Sequence, residues 1–324
     1  MTKPSKSKFL IDLMLLPPGF HRRRFARDGV GFEAFIWRGG AGPVLLVNGA
    51  THGDEYEGPT LLRQWAQNWR PARLRGAVVM VPVLNEPAFF AGQRCNPADG
   101  CNLARSFPGR RKGRPTEKLA ALFDQQLMAQ ATHYIDLHSG GVPYELKPWA
   151  GYISGMGGEV ERTQREMTAC FDSFWCWAGG FLPGRTLSAA YARNLPAMYV
   201  ECRGCGGVES ADLKGLDEGL RAVIRLLGLG AGAARHLRPQ ISRITTNANE
   251  THLQVHHPAP HDGLFVPRAR LDRDVRRGEV IGSVLALDGK AATKVPAVRA
   301  GRIVMLRRQR SVRRGDALAA LAPI

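Results

Sequence analysis

Long apolar runs and abundant cysteine are both absent from this chain of 324 residues. Its apolar stretches are short or interrupted by charge, and none approaches the roughly 18 residues that a membrane-spanning helix requires. The 6 cysteines include a single C-x-x-C pair, Cys202 and Cys205. One pair cannot complete a four-cysteine zinc site unless a distant His or Cys joins it, and a thioredoxin-like role is a second alternative. We favour two small thiols beside a glycine-rich turn. We therefore expect no membrane span, and a chain of this length needs no disulfide bonds to fold.

A signal sequence is not predicted either. The apolar run after Lys3, Lys6 and Lys8 is interrupted by Asp12 and ended by two prolines, and no small-residue cleavage site follows. The expected location is the cytoplasm.

Acidic residues are too few to balance the basic ones: 45 Lys and Arg stand against 28 Asp and Glu, a formal net charge of +17. The excess lies at the two ends, with 7 basic and 2 acidic residues in 1–28 and 17 basic and 7 acidic in 233–324. Such an excess can attract nucleic acids. No aromatic residue follows Phe265, however, so single-stranded bases would find no stacking partner in the basic C-terminal region. We do not expect nucleic-acid binding to be the function.

Strand-like apolar runs alternate with helical periodicity through the central two hundred residues or so. The pattern predicts strands at 32–37, 43–48, 77–83, 133–137 and 197–200, and helices at 59–70, 115–131 and 212–227. This alternation predicts an α/β fold, with a mixed, mostly parallel sheet and helices on both faces. In such sheets ligands collect where the strands end at their carboxyl edge.

The composition changes after the small-residue stretch 228–234, and we predict a catalytic domain at 1–235 and a small all-β domain at 236–324. The second region contains an internal repeat, because G-L-F-V followed by V-R-R-G-E-V-I matches G-R-I-V followed by V-R-R-G-D-A-L. The repeat predicts a barrel-like domain of duplicated hairpins and resembles the halves of a biotinyl/lipoyl domain. Lys290 follows an Asp-Gly pair where a carrier lysine would lie, but we favour an ordinary turn.

Metal-binding residue types follow two of the predicted strands. His52 and Glu55 are three residues apart after one strand, and His138 ends another. Two imidazoles and a carboxylate suit Zn²⁺, and a short pair plus one distant ligand is a spacing that a sheet can bring together. The alternative is that these are surface or packed side chains. Asp54 and Asp136 either support the ligand imidazoles or cap turns.

Three further charged residues lie in loops or at strand ends. Arg94 and Arg105 suit a carbonyl polariser and a carboxylate clamp, since guanidinium binds carboxylate through two parallel hydrogen bonds. Glu201 ends a predicted strand and suits a general base. For the two arginines the alternative is surface ion pairs, and for Glu201 it is a strand-end acid paired with a neighbouring arginine.

Together these segments resemble the succinylglutamate desuccinylase/aspartoacylase family, which is related to the zinc carboxypeptidases. The resemblance covers most of residues 30–230, and the motifs follow one another in the order that the family has. It is carried by Asn48-Gly49, His52-Gly53-Asp54-Glu55, Arg94, Asp99-Gly100, Asn102-Leu103-Ala104-Arg105-Ser106-Phe107-Pro108-Gly109, Asp136-Leu137-His138 and Glu201.

The resemblance implies one zinc ion per chain, with ligands from His52, Glu55 and His138. It also implies that Glu201 is the general base and later the proton donor, and that Arg94 polarises the scissile carbonyl.

Substrate binding is implied for Arg105, which would hold a carboxylate. Where the family usually has Asn-Arg, this chain has Ala104-Arg105, and we also predict the nearby amide of Asn102 as substrate-binding.

The predicted function is therefore that of a zinc-dependent amidohydrolase that cleaves the acyl–nitrogen bond of a small N-acylated amino acid. The family resemblance is compatible with a homo-oligomer. Two alternatives stay open: a zinc carboxypeptidase acting on short peptides, and a non-catalytic carrier or nucleic-acid-binding protein.

Overall fold

A computed structural model describes residues 9–232, 243–245 and 253–323. Its helices are α1 (Glu57–Asn68), α2 (Glu86–Phe90), α3 (Pro115–Gln126), α4 (Gly158–Ala169), α5 (Thr186–Tyr191) and α6 (Ser210–Leu226). The first ten strands are β1 (Gly19–Arg27), β2 (Val30–Arg38), β3 (Gly40–Asn48), β4 (Arg75–Val81), β5 (His133–Ser139), β6 (Tyr144–Leu146), β7 (Trp149–Ile153), β8 (Trp175–Gly179), β9 (Ala197–Cys202) and β10 (Arg243–Thr245). The rest are β11 (His257–Pro258), β12 (Gly263–Pro267), β13 (Asp274–Val275), β14 (Val280–Leu285), β15 (Ala292–Pro296), β16 (Gly301–Arg307), β17 (Ser311–Val312) and β18 (Ala317–Ala322).

Nine strands form one mixed sheet in the order β1-β2-β4-β3-β5-β9-β7-β8-β10. The neighbours β4, β3, β5 and β9 run parallel, as do β7, β8 and β10, and the antiparallel pairs are β1 with β2, β2 with β4, and β7 with β9. The predicted fold class, a mixed and mostly parallel sheet, is confirmed.

Strand β3 shows how helices cover both faces. Leu45 and Val47 pack in one apolar cluster with residues of α1 and α6, whereas Val44 and Leu46 pack in a second cluster with residues of α3. Successive side chains of a strand point to opposite faces, so a strand buried on both sides is apolar throughout. That is why this strand could be recognised in the sequence as an uninterrupted apolar run.

The predicted helices and strands are present, with shifted ends. The helix predicted to reach residue 131 ends at Gln126 and is followed by a separate 3₁₀ turn at Met128–Gln130. Strands β6 to β8 and helices α4 and α5, between residues 144 and 191, were not predicted.

The C-terminal strands form two further sheets, β11-β18-β16-β13 with β6 added to β16, and β15-β14-β12-β17. The two sequence repeats interlock, because β12 of the first pairs with β17 of the second, and β13 pairs with β16. Asp288 and Gly289 form a turn, with the Lys290 backbone N–H donating to the Asp288 side chain. The proposed domain boundary at 235/236 lies outside the described residues.

Two pairings link the predicted domains. Strand β6 from the first segment is hydrogen-bonded to β16 of the second, and β10 joins the large sheet beside β8. None of the described helices is both long enough and apolar enough to cross a membrane.

The buried imidazole of His133, at the start of β5, is expected to lower the free energy of unfolding in acid. Burial lowers its pKa to about 4 from 6.5. Because the unfolded chain takes up this proton below pH 6.5 and the folded chain does so only near pH 4, acidification over that range favours unfolding. We expect a loss of up to about 3 kcal/mol in unfolding free energy.

The measurement is urea unfolding at pH 7 and pH 4.5 for the natural protein and for His133→Gln. The variant lacks this titration, so its free energy of unfolding is expected to fall less between the two pH values. An identical fall in both proteins would contradict the prediction.

Candidate active site

The candidate site lies at the carboxyl edge of the large sheet, where β3, β5 and β9 end side by side. His52 and Glu55 follow β3 in a turn before α1, His138 is near the end of β5, and Glu201 is near the end of β9. His138 and Glu201 are directly paired in the parallel β5–β9 register. Residues paired in this way project from the same face of the sheet, so the topology brings these two side chains together.

The two imidazoles meet at one carboxylate. His52 Nδ1 lies 2.6 Å from one carboxylate oxygen of Glu55, and His138 Nδ1 lies 2.8 Å from the other. One potential ligand atom from each of the three residues lies within 4.8 Å of the others. The three predicted ligands therefore converge, although Glu55 and His138 are 83 positions apart in the sequence.

The remaining ring nitrogens have hydrogen-bond partners of their own. Asp136 Oδ2 lies 2.9 Å from His138 Nε2, and Asn102 Oδ1 lies 3.1 Å from His52 Nε2. These partners fix both rings with Nδ1 facing Glu55, as an outer carboxylate or amide does for metal-ligating histidines. Asp136 is itself fully buried and held by the side chains of Asn48, Thr51 and Thr186.

Asp54 does not support an imidazole, although the sequence left that role open. Its carboxylate instead accepts a hydrogen bond from the backbone N–H of Val142, at 3.3 Å. Its contact is with the loop that follows His138.

Electrostatics differ between the two histidines. Burial, reinforced by the Arg94 guanidinium, lowers the pKa of His52 to about 4. Burial also disfavours charge on His138, but Asp136 and Glu55 outweigh it and raise its pKa. Burial disfavours charge on Glu55 too, and the two imidazoles outweigh it and lower its pKa. The carboxylate form of Glu55 and the neutral form of His52 are the forms that bind metal ions.

The donor set fits zinc. Two imidazole nitrogens and a carboxylate oxygen, with the fourth position left for water or substrate, are the arrangement of catalytic zinc sites. The outer partners Asp136 and Asn102 complete that arrangement. Among the described residues, no other cluster of His, Cys, Asp and Glu is suitably placed for a metal ion. Cys202 is buried and Cys205 exposed, and both are free thiols.

Asp136→Asn is expected to weaken zinc binding by about 10–100-fold, because the amide can turn its N–H toward His138 Nε2 and the ring loses its acceptor. The measurement is a zinc titration against a chromophoric chelator. Asp124→Asn, which alters a buried aspartate paired with Arg193, is the matched control. Equal zinc affinity in Asp136→Asn and the natural protein would contradict the prediction.

A cavity of about 110 Å³ opens beside the ligand group. Arg94 lines it and places Nη1 3.2 Å from Glu55 Oε1. Arg105 also lines it, and burial together with Arg185 and Arg94 lowers its pKa to about 10. Arg185 is the third guanidinium of the lining, and its buried Nε has no hydrogen-bond partner within the described structure. The cavity thus carries a concentrated positive charge.

Ala104 lines the cavity, but Asn102 is not among the described residues that do so. Besides contacting His52, the Asn102 side chain accepts a hydrogen bond from the Ala104 backbone N–H. Its predicted role in substrate binding stays a prediction, and its position favours orienting His52.

Glu201 lies in the cavity wall between two strands. Its neighbour on β5 is His138, and its neighbour on the antiparallel strand β7 is Trp149. Burial raises the pKa of Glu201 to about 8. A carboxylate in such surroundings is suited to accept a proton and pass it on.

Glu57 is a buried residue that the sequence analysis missed. At the first position of α1, its carboxylate accepts a hydrogen bond from the backbone N–H of Gly204 at 2.9 Å. Gly204 lies in the loop directly after β9, so Glu57 holds the segment that follows Glu201. Its sequence position two residues after Glu55 was the available signal.

Comparison with known proteins finds a matching family model, a similar sequence and similar structures. Residues 41–150 match the model of the succinylglutamate desuccinylase/aspartoacylase catalytic domain. The chain is 31% identical over 289 residues to the N-alpha-acetyl-L-2,4-diaminobutyric acid deacetylase of Halomonas elongata, which covers 88% of this chain and 83% of that protein. Among solved structures, a succinylglutamate desuccinylase from Silicibacter sp. TM1040 has a TM-score of 0.84 and 26% identity, covering 99% of both chains. The product-bound ectoine utilization protein EutE (DoeB) of Ruegeria pomeroyi has a TM-score of 0.84 and 28% identity, covering 97% of this chain and 98% of that one.

Proposed function

Because this chain belongs to the succinylglutamate desuccinylase/aspartoacylase family, we propose that it is a zinc-dependent hydrolase that releases the acyl group of small N-acylated amino acids. The observation that carries the proposal is the convergence of His52, Glu55 and His138 beside Glu201, at the end of a cavity rich in arginine. A cytoplasmic location belongs to the same proposal.

His52, Glu55 and His138 are the residues that would hold the zinc ion. When bound there, zinc supplies a Lewis acid and makes water acidic enough to react near neutral pH. The remaining chemistry falls to this chain's own side chains.

Glu201 accepts a proton from the attacking water as the water oxygen bonds to the acyl carbon. The bond between that carbon and nitrogen then breaks, and Glu201 returns the proton to the departing amine. One acid–base residue thereby serves both halves of the reaction, which ends with a free carboxylate and a free amine. The cross-strand pairing with His138 keeps Glu201 beside the ligand group.

The guanidinium groups bind and orient the substrate. Arg94 is close enough to Glu55 to stabilise negative charge that develops on the carbonyl oxygen beside the ligand group. Arg105 and Arg185 lie in the same cavity, and a substrate carboxylate between them would relieve the repulsion that disfavours charge on Arg105.

The test is amine release by the zinc-loaded protein from N-acetyl and N-succinyl amino acids, compared with dipeptides and tripeptides. We expect release from the N-acyl amino acids and its loss after treatment with a chelator. Faster hydrolysis of peptides would favour the carboxypeptidase alternative, and no hydrolysis of either class would contradict the proposal.

A further inference from the structure

Apolar side chains from three regions of the chain line part of the candidate active-site cavity. They are Leu146 of β6 with Trp149 and Ile153 of β7, Leu182 of the loop after β8, and Met305 of β16, and we call them the apolar wall. Trp149, Leu146 and Met305 belong to one cluster of buried apolar residues. This apolar wall is therefore part of a packed core, which fixes its shape.

The apolar wall begins directly beside the reacting groups. Trp149 is the cross-strand neighbour of Glu201, which in turn is the cross-strand neighbour of His138. Side chains paired in this way share a face of the sheet, so ligand, base and apolar wall follow one another across three strands. Whatever is attached next to the scissile bond on the β7 side therefore meets Trp149.

Among the lining residues that the structure describes, the only carboxylates are Glu55 and Glu201. Glu55 is shared between two histidines and Arg94, and Glu201 has the acid–base role in the proposed reaction. The other charged residues of this lining, Arg94, Arg105 and Arg185, are positive. An ammonium group in this cavity would lose its hydration and be repelled.

We propose, building on the proposed deacylase function, that this site selects N-acyl amino acids with an uncharged, apolar side chain and discriminates against those with an ammonium group. The substrate's carboxylate lies between Arg105 and Arg185, and its side chain lies against the apolar wall. The preferred substrate class thus differs from the one named for the Halomonas elongata relative, whose substrate carries an amine on its side chain.

The experiment compares kcat/KM of the zinc-loaded protein for four compounds: the N-acetyl derivatives of L-leucine, L-methionine, L-aspartate and L-2,4-diaminobutyrate. We expect the leucine and methionine derivatives to exceed the other two by about 10-fold or more, since an apolar contact or an unpaired charge changes specificity by at least that factor. Preference for the diaminobutyrate derivative would overturn the proposal. Preference for the aspartate derivative would also overturn it, because Arg105 or Arg185 would then bind the side-chain carboxylate of the substrate.

A pair of variants tests the apolar wall itself. Leu182 lies in a loop and is only half-buried, so it tolerates substitution better than the core residues. Leu182→Glu is expected to shift the ratio of kcat/KM values by about 10-fold or more toward the diaminobutyrate derivative, relative to the matched neutral variant Leu182→Gln. An equal ratio in the two variants would contradict the proposal that the substrate's side chain lies against the apolar wall.

The proposed function and this inference fail in different ways. If neither these four compounds nor the N-succinyl amino acids of the first assay are hydrolysed, the deacylase function is contradicted. Calorimetry of the same compounds with the zinc-loaded protein then measures which of them the cavity binds best. Tighter binding of the diaminobutyrate or aspartate derivative than of the leucine and methionine derivatives would overturn the inference.

Discussion

Glu201→Gln is expected to lower kcat by about 10²–10⁴-fold, the range typical for loss of a general acid–base group. Glutamine has nearly the same shape as glutamate but cannot accept a proton from water or return one to the amine. Because Glu201 is not one of the three converging ligands, the variant should bind zinc as the natural protein does. The measurement is steady-state turnover of the best N-acyl amino acid, with zinc content determined on the same preparation.

A matched control for this variant is Glu86→Gln, which alters a carboxylate paired with Arg24 away from the cavity lining. It should leave kcat within about 2-fold of the natural value, as surface ion pairs contribute little. Near-normal turnover in zinc-loaded Glu201→Gln would contradict the role assigned to this residue.

Substitution of a predicted ligand is expected to remove the metal and nearly all activity. His52→Ala and His138→Ala each leave two of three protein ligands, and we expect zinc after dialysis to fall from about one ion per chain to a small fraction of that. Turnover should fall by orders of magnitude, because Lewis-acid activation disappears with the ion. Elemental analysis of dialysed protein measures the first effect and the substrate assay the second.

His133→Ala is the matched control for these variants, since His133 lies on the same strand as His138 but outside the ligand cluster. It should retain stoichiometric zinc. A full complement of zinc in His138→Ala would contradict the site, whereas loss of zinc in His133→Ala as well would indicate that the metal is lost through general destabilisation.

Much of the central fold could be predicted because its signals are local. The run Val44-Leu45-Leu46-Val47 is apolar at every position, as a strand covered on both faces must be. The pair His52 and Glu55 and the strand-end residue His138 could be recognised by residue type and by position after a strand. Their convergence needed only the rule that parallel strands end at one edge of the sheet.

The cavity wall could not be predicted, because its residues come from segments whose local signals are weak. Strand β6 has only three residues, and it pairs with β16 more than 150 positions later in the chain. Met305 reaches the cavity by the same pairing. Nothing in a local apolar pattern indicates which distant strand will contribute a side chain to a pocket.

The contact between Asn102 and His52 could not be predicted for a different reason. An amide in a loop of arginines suggests contact with a substrate, but its oxygen lies beside His52 Nε2. Sequence reasoning identifies which residue types gather in a loop, and it does not distinguish an amide that touches the ligand from one that orients a metal-binding ring.

The pairing of β6 with β16 makes the candidate cavity depend on a part of the chain that supplies none of the proposed reacting groups. A protein truncated before residue 253 would retain the predicted ligands His52, Glu55 and His138 and also Glu201. It would lose Leu253 and Met305 from the cavity lining, and β6 would have no β16 to pair with. The C-terminal sheets therefore complete part of the cavity wall from a distant segment of the sequence. Substitutions there would change the shape of the cavity without altering His52, Glu55, His138 or Glu201.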